Sequence, residues 1–173
     1  MTYANLNDGA NALKDFEKAQ QLGYKGKSDE MLNAMGSAAA TAGNHPQAVE
    51  YYKKALEIRK TPEYHYMMGN SLAPQGKMAE AIAQYDAALA LKPDYVDAIN
   101  NKGNALASLG KVQEALPFFD KAIQLKPDAA NYYANRGIAR NSIGNKKGAC
   151  EDWQKALQMG YAQAQMLLQQ NCK

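Results

Sequence analysis

Along Val96–Ala129 the apolar residues recur at spacings of three and four. Ile99, Leu106 and Leu109 form one block, and Ala115, Leu116, Phe119, Ala122, Ile123 and Leu125 form a second. That spacing lines one face of an α-helix, so the stretch predicts two helices, each with a single apolar side. Gly110-Lys111 separates them and Lys126-Pro127-Asp128 ends the second. One-faced helices are unstable alone in water. The pair is therefore expected to close as an antiparallel hairpin, which must then stack on neighbours.

The arrangement returns at a fixed distance. Gly69, Leu72, Gly76, Ala81, Tyr85, Ala88, Leu91 and Pro93 stand 34 residues before Gly103, Leu106, Gly110, Ala115, Phe119, Ala122, Leu125 and Pro127. Gly137, Gly144, Ala149, Trp153 and Ala156 stand 34 residues after their counterparts. A further copy begins at Asp29, where Gly36, Gly43, Ala48, Tyr52 and Ala55 match at a shift of 33, so its final turn is one residue short. The pattern resembles the bacterial-type tetratricopeptide repeat (TPR), with its period of about 34 residues, small residues at positions eight, twenty and twenty-seven and an aromatic at twenty-four. The resemblance covers roughly residues 29–163. It implies an all-α, right-handed superhelical α-solenoid with repeats at 29–61, 62–95, 96–129 and 130–163 in one solenoid domain.

Both ends depart from the repeat. In Asp8–Leu22, Ala12, Leu13, Phe16 and Ala19 lie at helical spacing, and Ala12, Phe16 and Ala19 fit positions twenty, twenty-four and twenty-seven. Residues 1–28 thus read as a partial repeat, a second helix without its first. Either upstream sequence has been removed, or the helix covers the end of the stack, or its bare face meets another molecule, including a second copy of the chain. At the other end, Tyr161–Cys172 sets Ala164, Leu167 and Leu168 on one face and glutamines on the other. This predicts a C-terminal capping helix over 161–173 that covers the last repeat. Between the ends, Ser28 and Thr61-Pro62 signal helix starts, and Pro74 should kink or end its helix early.

Composition narrows the function. The 173 residues are 46% hydrophobic and 21% charged, enough for a continuous core. A mean hydropathy of −0.55 and the absence of a long apolar run argue against membrane insertion. A net charge of +3, evenly spread, argues against nucleic acid as a partner. No catalytic residues, metal ligands or cofactor are expected. His45 and His65 sit at non-equivalent repeat positions without a carboxylate or cysteine spaced to pair with either. Gly69–Lys77 and Gly103–Lys111 have the wrong glycine spacing for a phosphate loop.

Cys150 and Cys172 lie at equal distances on either side of residue 161, the expected turn between the last second helix and the capping helix. Antiparallel packing makes their backbones neighbours, as a disulfide requires. Such a bridge would suit an oxidising compartment such as the periplasm; two reduced cysteines acting as small apolar residues are the alternative.

In proteins that this chain resembles, first helices line the inside of the superhelix, and positions two, five, nine, twelve and thirteen form its inner stripe. Those positions give Asn33, Ser37, Tyr66, Asn70, Asn100, Asn104, Asn131 and Asn141 as candidates for a peptide-binding groove. An asparagine amide both donates and accepts, so a row of them can grip the backbone of an extended peptide. The lysine- and arginine-rich stripe that clamps acidic chaperone tails is replaced by Asn33, Tyr66, Asn100, Asn101 and Asn135, and Glu30, Glu63 and Asp97 make the rim acidic. The expectation is a non-catalytic scaffold holding an extended segment of a protein partner. The alternative is a structural or oligomerisation module that makes contact through the N-terminal helix.

Overall fold

The computed structural model describes residues 28–172 together with Asn11, Lys14, Asp15 and Lys18, which are helical and exposed. The expected helix over Asp8–Leu22, and with it the partial repeat, otherwise lies outside the described residues. Among residues 28–172 nine α-helices follow in order: α1 (Asp29–Thr41), α2 (His45–Ile58), α3 (Pro62–Leu72), α4 (Met78–Leu91), α5 (Val96–Ser108), α6 (Val112–Leu125), α7 (Ala130–Ser142), α8 (Lys146–Gln158) and α9 (Gln163–Asn171). No strand occurs among the described residues, so the fold is an all-α helical repeat. The chain divides into two compact units, Met1–Pro93 and Asp94–Lys173.

Local chemistry sets the helix starts. The Ser28 hydroxyl accepts from the Met31 N–H at 3.1 Å, Thr61 accepts from Tyr64 at 3.2 Å, and Asn145 accepts from Gly148 at 3.0 Å. Each cap satisfies an N–H that the first turn leaves without a partner. Pro74 has the expected effect: α3 ends at Leu72 and Ala73–Gln75 continues as a short 3₁₀ turn. Pro117 is accommodated inside α6.

Within each unit the helices pair as α1–α2, α3–α4, α5–α6 and α7–α8. The pairing is antiparallel: Arg136 meets Asp152, while Arg140, one turn further on, meets the earlier Gly148. Turns between paired helices are tight, and at Gly110 the backbone takes φ 76°, a left-handed conformation that side chains disfavour. The core of each hairpin is an aromatic ring of the second helix laid on a glycine of the first. Tyr52, Tyr85, Phe119 and Trp153, all buried, lie on Gly36, Gly69, Gly103 and Gly137.

A methyl group at Gly137 would stand 2.5 Å from Trp153 Nε1 and 2.7 Å from its Cδ1. The ring is buried and cannot swing clear. Gly137→Ala should therefore cost about 1–3 kcal/mol by overpacking, against the roughly 1 kcal/mol that alanine gains in a helix. A urea midpoint at or above that of the wild type would show that the ring can shift.

The C-terminal unit carries a further helix. α9 packs on α8, with Ala164 fully buried and Leu167 and Leu168 half-buried against a cluster that includes Ala134, Ala149, Trp153 and Ala156. Cys150 in α8 and Cys172, just beyond α9, form a disulfide with Cα atoms 5.9 Å apart and a sequence separation of 22. In the chain-entropy model, closing a loop of that size stabilises the fold by about 3 kcal/mol.

Candidate functional site

The stripe residues fall on first helices, two in each unit. In the N-terminal unit they are largely engaged within the hairpins. The Ser37 hydroxyl and the Tyr52 hydroxyl lie 3.2 Å apart, and Tyr85 donates its hydroxyl to Asn70 Oδ1 at 2.9 Å. The Tyr66 ring is tilted 45° to the Tyr85 ring with centroids 6.2 Å apart. Asn33 is half-buried, and its Oδ1 is shut away from solvent without a partner among the described residues.

In the C-terminal unit Asn100 requires a correction. It is only 3% exposed, its amide donates to Asn101 Oδ1 at 3.1 Å, and its Oδ1 accepts from Asn135 at 3.0 Å. This asparagine chain ties α5 to α7 inside the unit and keeps the Asn100 side chain out of reach of a ligand. Asn104 is half-buried, and among the described residues its side-chain amide meets no hydrogen-bond partner. Asn131 is exposed, and Asn141 donates to Asn171 of α9 at 3.4 Å.

Position nine is explained by the ring beneath it. Tyr52 and Tyr85 carry hydroxyls that need partners, and Ser37 and Asn70 supply them. Phe119 has no hydroxyl, which leaves Asn104 uncommitted. Trp153 sends its Nε1–H to the Ala134 carbonyl at 3.3 Å, and position nine of that repeat is Ile138, 52% exposed. Asn104 and Ile138 therefore present a polar and an apolar side chain at equivalent positions of consecutive first helices.

Two charged clusters escaped the sequence reading. In the N-terminal unit Arg59 bonds Asp29, reaches Glu30 at 3.3 Å, and donates to the Tyr64 hydroxyl at 3.3 Å, while Tyr64 donates to Asp29 at 2.8 Å. The Tyr64 bond, together with the Arg59 guanidinium, holds the Asp29 carboxyl below the usual carboxylate range, and burial pushes the Tyr64 hydroxyl up. A lowered carboxyl pKa stabilises the fold above its unfolded value and loses that contribution as pH falls through the lowered one. Tyr132 donates to Asp97 at 2.7 Å across the same sequence separation, so both units join successive first helices by a tyrosine–aspartate bond.

In the C-terminal unit Arg136 forks onto the buried Asp152, from Nε at 3.0 Å and Nη2 at 2.6 Å, and onto Asp120 at 2.7 Å. Arg140 adds a bond to Asp152 at 3.0 Å. Burial alone would lower the Arg136 pKa; its bonds to Asp152 and Asp120 outweigh that and raise it. Every charge in this cluster is matched, so it has the character of a structural tie between α6, α7 and α8. His65 shares a 2.8 Å hydrogen bond with Gln84, and no group of three potential metal ligands occurs among the described residues.

Two family models, both described as tetratricopeptide repeat, match residues 29–62 and 66–130. Among solved structures, MamA is 25% identical, covering 94% of this chain and 99% of its own, with a TM-score of 0.76. MamA 41-end from Desulfovibrio magneticus RS-1 is 25% identical over 78% of this chain and 77% of that one, with a TM-score of 0.72. YrrB, a TPR protein with an unusual peptide-binding site, is 23% identical over 91% of this chain and 82% of that one, with a TM-score of 0.72. No curated protein sequence matches the chain.

Proposed function

Because the chain belongs to the tetratricopeptide-repeat family, whose members are non-catalytic protein-interaction scaffolds, we propose that it holds an extended peptide segment of a protein partner against its first helices. The observation that carries this reading is Asn104. Three stripe residues, Ser37, Asn70 and Asn100, spend their hydrogen bonds inside the fold. Among the described residues Asn104 does not, and the exposed Ile138 stands at the equivalent place in the next repeat. An uncommitted amide that both donates and accepts matches a peptide backbone, and a neighbouring apolar side chain matches an apolar residue of that peptide. YrrB, of the same fold, has a peptide-binding site, which supports the class of ligand. No helix among the described residues is long and apolar enough to cross a membrane.

A randomised peptide library panned against the wild-type protein supplies the probe. Affinity of a selected peptide, read by fluorescence polarisation, should fall about tenfold in Asn104→Ala, the loss of one or two hydrogen bonds. The variant should unfold at the wild-type temperature, since its amide has no partner within the described fold. Equal affinity for both proteins would remove Asn104 from the site. Asn70→Ala, by contrast, should lose stability, because it strips the Tyr85 hydroxyl of its acceptor.

A further inference from the structure

We propose that the Cys150–Cys172 disulfide is a thiol-operated latch: reduction by a dithiol frees α9 from α8 while the α5–α8 hairpins stay folded, uncovering the apolar cluster that α9 rests on. Little besides the bridge holds α9. It has nine residues and no side-chain N-cap, and isolated helices shorter than about 12–15 residues are marginal in water. It buries one small residue completely, Ala164, and sets Leu167 and Leu168 only half out of water, while Gln163, Gln165, Met166, Gln169 and Gln170 are exposed. Its hydrogen bond to α7, donated by the Asn141 amide to Asn171, is long at 3.4 Å.

α8 is held quite differently. Its Trp153, Ala149 and Ala156 are buried, and its Asp152 is locked by Arg136 and Arg140. The covalent bond therefore acts on the weaker partner, and removing it lowers the cost of detaching α9 far more than the cost of opening the α7–α8 hairpin. Both cysteines are only half-buried, which leaves the bridge open to attack.

The chemistry is a two-electron exchange. A thiolate of the dithiol attacks one sulfur, the electron pair of the Cys150–Cys172 bond leaves on the other as thiolate, and the second thiol of the reductant resolves the mixed disulfide. Two electrons and two protons pass to the protein cysteines, and the reductant ends as a cyclic disulfide. Detachment would withdraw Ala164, Leu167 and Leu168 from the cluster of Ala134, Ala149, Trp153 and Ala156, uncovering part of it, and would free the Asn141 amide. Only the consequence for Asn141 as a ligand contact rests on the peptide reading above.

Amide hydrogen exchange of the full chain, oxidised and then reduced with dithiothreitol, tests the latch without any ligand. Protection of residues 163–171 should fall roughly a hundredfold on reduction, the factor expected for releasing a cross-link of this loop length, while α5–α8 change by less than about threefold. A Cys150→Ser, Cys172→Ser double variant should behave as the reduced protein does, in either buffer. Unchanged protection of α9 in the reduced protein or in the variant would overturn the proposal. So would a loss of protection spread equally over α5–α9, which would make the bridge a staple of the whole unit.

Discussion

Replacing Arg136 by alanine should destabilise the C-terminal unit by about 3–5 kcal/mol, the cost of removing the main partner of a buried charge. Asp152 is 3% exposed, and Arg136 satisfies both of its oxygens while also holding Asp120. After truncation only Arg140 remains for Asp152, through one oxygen. The penalty comes from the uncompensated carboxylate more than from any net gain of the pair. Changing both partners, Arg136→Leu with Asp152→Leu, should therefore recover most of the loss. Urea unfolding of the single and double variants separates the two effects. A single variant that unfolds at the wild-type midpoint would show that Asp152 finds water or another partner, and that the cluster is not the tie described here.

Trp153→Ala should cost a similar amount, about 3–5 kcal/mol, by a different route. The indole is 1% exposed, lies on Gly137, and donates to the Ala134 carbonyl. Deleting it leaves a cavity between α7 and α8 at the point where α9 also rests, so the capping helix should loosen with the hairpin. Trp153→Phe should cost much less, because Phe119 already fills the equivalent place over Gly103. Thermal unfolding monitored by circular dichroism checks both, and a Trp153→Ala protein that melts with the wild type would mean the ring is not the keystone of its repeat.

These two sites mark where the sequence was and was not legible. Trp153 could be placed in the core in advance, since a 34-residue period and a glycine sixteen residues upstream fix its partner through backbone geometry alone. The Arg136–Asp152 tie was not foreseen: its members share that sixteen-residue spacing, but nothing in the local pattern separates a buried arginine from a solvated one. The stripe shows the same limit in finer form. Repeat position assigned Asn33, Asn70, Asn100 and Asn104 to one surface, but the side chains part company according to the rings and amides around them. A tyrosine hydroxyl claims Asn70, the Asn101 and Asn135 amides claim Asn100, and the missing hydroxyl of Phe119 releases Asn104. The last of these was readable in principle, since phenylalanine at position twenty-four in place of tyrosine is a sequence fact. The disulfide pairing followed from hairpin symmetry about residue 161, whereas the weak hold on α9 emerged only from its burial.

In the proposed function, binding takes place on the first helices and runs through Asn104. Its most direct test is a nitrogen-15 NMR titration of the protein with a library-selected peptide, following backbone amides and the asparagine side-chain amides together. Shifts should gather on α5 and α7, with the Asn104 side-chain amide among the largest and the Asn100 amide, buried within its own network, little moved. Shifts confined to α2, α4, α6 and α8, with Asn104 unmoved at saturation, would contradict it and place the binding surface on the second helices.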